Sequence, residues 1–422
     1  MNAVSQSAEQ GFLARFEAAR HRLPGSAAAR AAAAAAFRAA GLPTLRNEAW
    51  KYTNLRPIAD TVFVDARTLA ADCGSLLAGL PELGGGRLVF EDGRFRADLS
   101  TLPAGLRVSR FTDDPAFGAQ ATSEGHPLVA LNTMLAEDGA VIEVPAGVDG
   151  GVLQVVSFAS GGGTASPIAF HPRHRVRLAE GARLVLLESS VGTGAYLHNP
   201  VVEVDVARGA SLVHVRMQDE APGAFHLGTV YAEVEADGVY DAFALTLGGR
   251  LVRTEFHARL VGPGGAAHLN GAQLLAGRQV ADFTSVVSHD APRCASRQTV
   301  KNVLAGRSRG VFQGRIEVAR AAQKTDGYQM NQALLLSPEA EIDSKPELEI
   351  FADDVKCSHG ATVGELDPEQ LFYLRTRGIP AVEARSILVR AFLAEALDLV
   401  GHAGVRAALD ARVSAWWEKQ LA

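Results

Sequence analysis

The chain has 422 residues, 47% of them hydrophobic and 21% charged, with a formal net charge of −6. This is the composition of a soluble globular protein of two or three domains, and it offers no basic surface for a nucleic acid or an anionic membrane. The start, MNAVSQSAEQ, lacks the basic residues and apolar core of a signal peptide, and no stretch reaches the roughly 18–20 uncharged apolar residues of a membrane span, so the expected location is the cytoplasm. Cys73, Cys294 and Cys357 are far apart and form no CxxC pair, which predicts free thiols in a reducing compartment and rules out four thiolates from this chain alone at one metal.

In chain order, EQGFLARFEAARHRLP places Phe12, Leu13, Phe16 and Ala19 at helical spacing and stops at Pro24 and Gly25. SAAARAAAAAAFRAA is a strong helix former, ended by Gly41 and Pro43. RNEAWKYTNLRPI has no clear period, carries Trp50 and Tyr52, and reads as a docking turn between the helical region and the rest of the chain. From about Val141 to Phe351, Val-, Leu-, Phe- and Thr-rich runs alternate apolar and polar residues and break at Gly-containing turns every ten to fifteen residues, the patterning of an all-β region. VRLAEGARLVLL (176–187) resembles VDVARGASLVHV (204–215), and the turn glycines Gly181, Gly209, Gly238 and Gly265 succeed one another at 28, 29 and 27 residues. A near-constant period with two strands per unit predicts stacked coils such as a β-helix; a jelly roll competes but does not require the period.

After Gly364 the chain turns helical. LDPEQLFYLRTRG offers Asp367 as N-cap, Pro368 at the first helical position, Gln370 three residues after the cap and Gly378 as terminator. AVEARSILVRAFLAEALDLV has an apolar face covering about half its circumference, including Val382, Leu388, Val389, Phe392, Leu393, Ala396, Leu397, Leu399 and Val400, which suits packing within the chain or docking of a partner. A last helix spaces Val405, Leu409, Val413, Trp416 and Leu421 along one side. The expected division is therefore a mainly helical region 1–110, a β core 111–362 and a helical region 363–422.

There is no GxxxxGK[ST], GxSxG or HExxH. SGGGTASP, near Gly162, is a glycine loop without the phosphate-binding lysine. HPRH, His171 to His174, reads as a solvated turn rather than a pair of metal ligands, and the adjacent Asp353 and Asp354 read as solvated. Cys357 and His359 in DDVKCSHGATVG differ. In an extended segment residues two apart point the same way, so a thiol and an imidazole stand side by side, a pair suited to iron–sulfur or zinc chemistry. Lys356 is placed to favour the thiolate. A buried thiol beside a hydrogen-bonded histidine is the alternative. Two ligands leave a tetrahedral metal half coordinated, so a metal here would be transient, completed by water, or shared with another chain.

VVSHDAPRCASRQTVKNVLAGRSRGVFQGRIEV, then TDGYQMNQALLLSPEAEIDSKPELEIFADDVKCSHGATVGELDPEQLFYLRTRGI, together with RNEAWKYTNLRPI, resemble the SufB/SufD family of iron–sulfur cluster assembly proteins. The resemblance runs from Val280 to about Val400; from Val141 to about Ala276 it holds only in pattern. Within the family the chain is similar to the SufD branch. The SufB pattern keeps the histidine of KCSHGATVG, has a glutamate at the position of Gly360 and lacks the cysteine; it also carries a cysteine in the region of YQMNQALLL, where Tyr328 to Leu336 has none.

The resemblance implies a mainly β fold, a right-handed parallel β-helix flanked by helical N- and C-terminal regions. It implies a non-catalytic scaffold subunit that pairs with a SufB-type protein through the β-helix and docks a SufC-type ATPase, which hydrolyses the ATP, through Phe372, Val382, Leu388, Phe392 and Leu393. Cys357 and His359 would then contribute iron or cluster ligands at the SufB interface, to a transient, shared site expected to be empty in the isolated chain, which is also expected to be able to pair with itself. The alternatives are a SufB-type scaffold or, in a different class, a β-helix carbohydrate-active enzyme. The lack of a signal peptide and the 6% aromatic content argue against the enzyme.

Overall fold

A computed structural model describes residues 7–66, 74–114, 117, 120–161 and 166–421. Cys73 and residues 162–165 of the SGGGTASP loop lie outside the described residues. The centre is a parallel β-solenoid in which each coil gives one strand to each of two sheets. Sheet one runs through Ala140–Val144, Arg173–Leu178, Val201–Val206, Phe225–Val234, Leu251–Leu260, Val280–His289, Arg309–Val318 and Glu341–Ile350. Sheet two runs through Gly86–Glu91, Asp149–Ala159, Arg183–Gly192, Ser211–Asp219, Val239–Thr246, Ala266–Leu275, Ala295–Leu304, Asp326–Leu335 and Lys356–Gly364. The pairings between coils are parallel, which removes the jelly roll.

The repeat read from the sequence is real: Val176, Val204 and Ala232 occupy one register position. One corner of the coil needs a residue at positive φ, and the column that supplies it is Gly147, Gly181, Gly209, Asp237, Gly264, Arg293 and Lys324. In this column the N–H of Gly181 donates to the carbonyl of Arg208, that of Gly209 to Ala236, that of Asp237 to Pro263 and that of Arg293 to Gln323. Gly238 and Gly265, expected to be the turn residues of their coils, each sit one position beyond the true corner. Glycine relieves the left-handed strain at the first coils, but aspartate, arginine and lysine accept it later, where the ladder of hydrogen bonds holds the backbone.

Between the sheets the stacked side chains make one apolar core, including Val176, Val204, Val230 and Leu269, with Phe256, Phe283 and Phe312 in a ladder whose rings lie 5.6 and 6.3 Å apart. Both sheets are also covered outside over much of their length, so side chains on both faces of their strands are buried. Helices Ala8–Ala19, Ala27–Ala40 and Pro127–Leu135 pack Phe12, Phe16, Phe37 and Leu131 toward Phe225 and Leu227 of sheet one. Helices Ala381–Leu397 and Ala403–Leu421 pack Val389, Leu393, Val405, Leu409 and Trp416 on Val215, Phe243 and Leu274 of sheet two.

The boundary expected at residue 110 shifts in both directions. Gly86–Glu91 already pairs with Asp149–Ala159 in sheet two and Arg107–Arg110 pairs with Ala140–Val144 in sheet one, whereas the Pro127–Leu135 helix belongs with the N-terminal helical layer. Alternating apolar patterning is weak in such short edge strands, which leaves them without a sequence signature.

Candidate functional site

RNEAWKYTNLRPI is a docking turn, as its lack of period suggested. It lies against the outer face of sheet one. Trp50 is buried, with the Arg253 guanidinium 4.0 Å from its ring centre; the Thr53 hydroxyl bonds buried Asp282; Lys345 pairs with Glu48 at 2.6 Å. The HPRH segment, by contrast, is not a solvated turn. His171, Arg173 and His174 are buried. Arg173 is held by Glu203 at 2.8 Å and Thr133 at 2.8 Å, and the ring of His174 accepts the Ala140 N–H. Burial pushes the pKa of both histidines down. The apparent polarity of the tetrapeptide hid its role of joining the Pro127–Leu135 helix to sheet one.

Cys357 and His359 lie on the last strand of sheet two, Lys356–Gly364, and the strand is extended, so the two share a face as expected. The parallel register shows which face. Cys357 is opposite Gly327 and His359 is opposite Gln329, a fully buried residue that is opposite Gln298 in the preceding coil. The pair therefore continues the columns that line the interior of the solenoid. In these last coils that interior turns polar. Ser285 donates to Gln298 at 2.6 Å, and Gln273, Asn302 and Asn331 form a ladder with contacts of 3.0 and 2.8 Å. The Gln329 amide, Asn331 Nδ2, Gln298 Nε2 and Ser344 Oγ are buried and have no protein partner. Such atoms are costly to bury unless something further satisfies them.

Cys357 is half-buried and packs beside Ile316 and Leu348, while His359 is exposed. Burial, reinforced by Asp326, pushes the Cys357 thiol above its ordinary pKa, so the expectation that Lys356 would favour a thiolate is not met. A metal would have to displace the thiol proton itself. Cys294 is a buried thiol, also raised by burial. Asp353 and Asp354 are exposed, as expected. Among the described residues, the clusters of three or more ligand-type side chains with ligand atoms within 4.8 Å of one another are His126/Glu255/His257 and His198/Glu220/His226. Cys357 and His359 are in neither. One thiol and one imidazole would make up half of a tetrahedral shell, and such a donor set is compatible with iron or an iron–sulfur cluster as cargo.

His198, Glu220 and His226 are all buried. The two imidazole Nδ1 atoms meet the two Glu220 oxygens at 3.0 and 2.7 Å, and Gln218 donates to the same carboxylate at 2.9 Å. Burial, outweighing the carboxylate, takes His198 down to about 4. This polar network, in which both Glu220 oxygens are engaged, ties Tyr196–His198 to neighbouring coils. No local pattern in the sequence marks it, because its members come from three separate segments.

The strands of the last coil leave both sheets with an open edge. On sheet one the edge strand Glu341–Ile350 carries Pro346 and the charges of Glu341, Asp343, Lys345, Glu347 and Glu349, features that discourage indiscriminate pairing. On sheet two the edge strand, KCSHGATVG, has one charged residue, Lys356. Nearby, Asp367 caps the Pro368–Thr376 helix by accepting from the N–H groups of Glu369 and Gln370, and Gly378, at φ 84°, ends it.

That helix buries none of its residues. Phe372 is 69% exposed and Val382 51%, and Phe372, Tyr373, Ile387 and Leu388 line one shallow groove. The broad apolar face of Ala381–Leu397 is thus divided. Val389, Leu393, Ala396 and Leu397 are core, and Leu393, fully buried, is not available to a partner. Phe392 is half-buried with the ammonium of Lys301 4.4 Å from its ring centre, and Lys301, itself buried, pairs with Glu395.

The fold is that of a two-sheet parallel solenoid with a polar open end and an exposed apolar helix pair beside it. Residues 160–392, more than half of the chain, match the family described as SUF system FeS cluster assembly, SufBD core domain. The chain is 33% identical over 377 residues to the iron–sulfur cluster assembly protein SufD of Escherichia coli K12, covering 88% of this chain and 89% of that protein. It is similar to the SufBD family protein slr0076 of Synechocystis, at 31% over 401 residues with 88% and 87% covered. It also resembles the chloroplastic protein ABCI7 of Arabidopsis thaliana, at 33% over 360 residues with 83% and 73% covered. The chain belongs to the SufBD family of iron–sulfur cluster assembly proteins and is most similar to its SufD branch. The match extends well upstream of Val280, where the sequence agreed only in pattern, and the carbohydrate-active alternative is withdrawn. No helix among the described residues is long and apolar enough to cross a membrane.

Proposed function

We propose that this chain is the SufD-type subunit of a cytoplasmic scaffold complex, formed with a SufB-type protein and a SufC-type ATPase, in which it contributes to iron acquisition and cluster assembly without being an enzyme itself. The observation that carries this reading is the open last coil. Its bare sheet-two edge can be continued by a strand of a second protein, and Cys357 and His359 point along the interior column at that edge. Half a coordination shell at an unpaired edge is what a site divided between two chains requires. The partner's ligands complete the shell, and the cluster is cargo held only while both edges are joined.

Phe372, Val382 and Leu388 form the docking surface for the ATPase on this reading, with Leu393 and Lys301 fixing the helix beneath it. Movement of the Pro368–Thr376 and Ala381–Leu397 helices by the ATPase would reach the open edge through Glu365 and Leu366, which connect Gly364 to the capped helix. Alone, the chain is expected to pair with itself through the same edge, and a monomer by solution scattering at high concentration would count against that. The direct test is co-expression with both partners and cluster reconstitution. The Cys357→Ser/His359→Ala double variant should lower iron content and cluster yield while the complex still forms. Unchanged yield in an intact complex would sink the ligand role.

A further inference from the structure

On the outer face of sheet one, far along the chain from Cys357, Glu255 and His257 stand two apart on the strand Leu251–Leu260 and so share a face. His126 reaches the same point from the residue preceding the Pro127–Leu135 helix. One ligand atom from each lies within 4.8 Å of the others. The three line a hollow of about 210 Å³, together with Thr284 and Gln313. From these contacts we propose that His126, Glu255 and His257 form a binding site for a divalent first-row metal cation of the ferrous or zinc class, with the remaining coordination positions open to water from the hollow.

Several independent features hold the three groups ready. Glu255 is fixed by Arg253, whose Nε donates to Oε2 at 2.9 Å, leaving Oε1 toward His257 Nε2 at 2.9 Å. That second distance is close to the cis edge of an octahedron with metal–ligand bonds of about 2.1 Å, so a metal can replace the shared proton with little movement of either group. The His257 ring is stacked on Tyr231 at 4.6 Å and 6°, and the His126 ring meets it edge-on at 5.3 Å. Orientation by such neighbours is what a metal site asks of its surroundings.

The cations around the hollow are already engaged: Arg253 with Asp282 and Glu255, Lys345 with Glu48 and Glu347, and Arg315 with Glu317, Glu347 and Glu349. Two histidines and one carboxylate on one side of a cation, with open positions opposite, is the donor set of ferrous facial triads and of three-ligand zinc sites. The buried His198/Glu220/His226 cluster differs, because both Glu220 oxygens already accept from within the network.

The test is metal retention by the full chain, stripped with a chelator, loaded anaerobically with ferrous iron or aerobically with Zn²⁺ in separate arms, desalted and measured by elemental analysis. One equivalent of at least one of these ions should remain on the wild type and on Cys357→Ser/His359→Ala. His126→Ala, which lies outside the sheets, and Glu255→Gln should each weaken binding at least tenfold while melting near the wild type. Wild-type protein that retains neither ion overturns the proposal, as does binding by folded His126→Ala and Glu255→Gln equal to that of the wild type. Loss of the ion from the Cys357/His359 variant alone would overturn it too, since the metal would then belong to the open edge.

Discussion

The two ends of the solenoid are built differently. At the start, the short strands Arg94–Phe95 and Arg107–Arg110 turn back antiparallel on their neighbours, and the interior is filled by Leu88, Phe90, Ile142 and Leu153, all buried. At the finish no strand among the described residues turns back, the interior includes the polar Gln298, Gln329 and Asn331 beside a small apolar cluster around Ile316, and the final strand is mostly exposed. A coil cannot satisfy its own backbone edge, so a stack must be closed at each end. This chain closes one end itself and leaves the other, which carries Cys357 and His359, with its sheet edges open.

The difference between the ends can be tested by unequal responses to mutation. Phe90→Ala, in the interior of the closed end, should lower unfolding stability by about 3–5 kcal/mol in a chemical denaturation series. Gln329→Met, at the open end, should cost less than about 1 kcal/mol in the same assay, because the amide it removes makes no protein hydrogen bond. Equal losses at the two positions would erase the distinction.

Acid should act next most strongly. His198 and His289 are buried, and burial lowers each to about 4 from an ordinary 6.5. Between pH 6.5 and 4 the unfolded chain takes up protons on these residues that the folded chain does not. Stability should therefore be full above pH 6.5 and fall on acidification by roughly 1.4 kcal/mol per pH unit for each histidine within that window. A flat thermal midpoint from pH 6.5 to 5 would refute this.

Lys301→Ala should cost about 1–3 kcal/mol and loosen the Ala381–Leu397 helix to protease, since it strips Glu395 and Phe392 of their buried cation. Phe372→Ser and Val382→Ser, on the exposed side of the same helical unit, should stay within about 0.5 kcal/mol of the wild type and show their effect only in capture of the ATPase. At the thiol, iodoacetamide should label Cys357 slowly at pH 7, with the rate still rising above pH 9, because burial keeps it protonated. Rapid labelling at pH 7 would restore the thiolate expected from Lys356.

What could be read from the sequence came from periodicity in the core and from residue choice at its flanks. The two-sheet stack, the docking turn and the Asp367 cap each leave a local signature, and all three are present. The corner column was caught at Gly181 and Gly209 but missed at Asp237, Arg293 and Lys324, because composition marks glycine whereas the backbone requires only positive φ. Arg30 stands in the alanine-rich helix Ala27–Ala40. It is buried, and its guanidinium donates to the carbonyls of Thr133, Met134 and Ala136 at the end of the Pro127–Leu135 helix, more than 100 residues away. At the open edge the Cys-x-His spacing was legible because both residues share a strand. Glu255 and His257 carry the same two-residue spacing, but His126 belongs to another layer, and no local pattern joins them. Leu393 and Phe372 were alike as apolar helix residues, and only the position of the sheet separates core from surface.

The column of left-handed corners has a further consequence. Each member is tied by its N–H to the next coil, and Lys324 bonds to the carbonyl of Asp354 in the last connection. Order is therefore handed along the axis from neighbour to neighbour, and the terminal coil receives it from one side only. Fraying should begin there, with amide hydrogens of Lys356–Gly364 exchanging fastest among the strands of sheet two and those of Val239–Thr246 slowest. A protein that seats on the open edge would supply the missing neighbour and slow that exchange from the far end inward, so the gradient of protection along the stack reports occupancy of the edge before any cluster is formed.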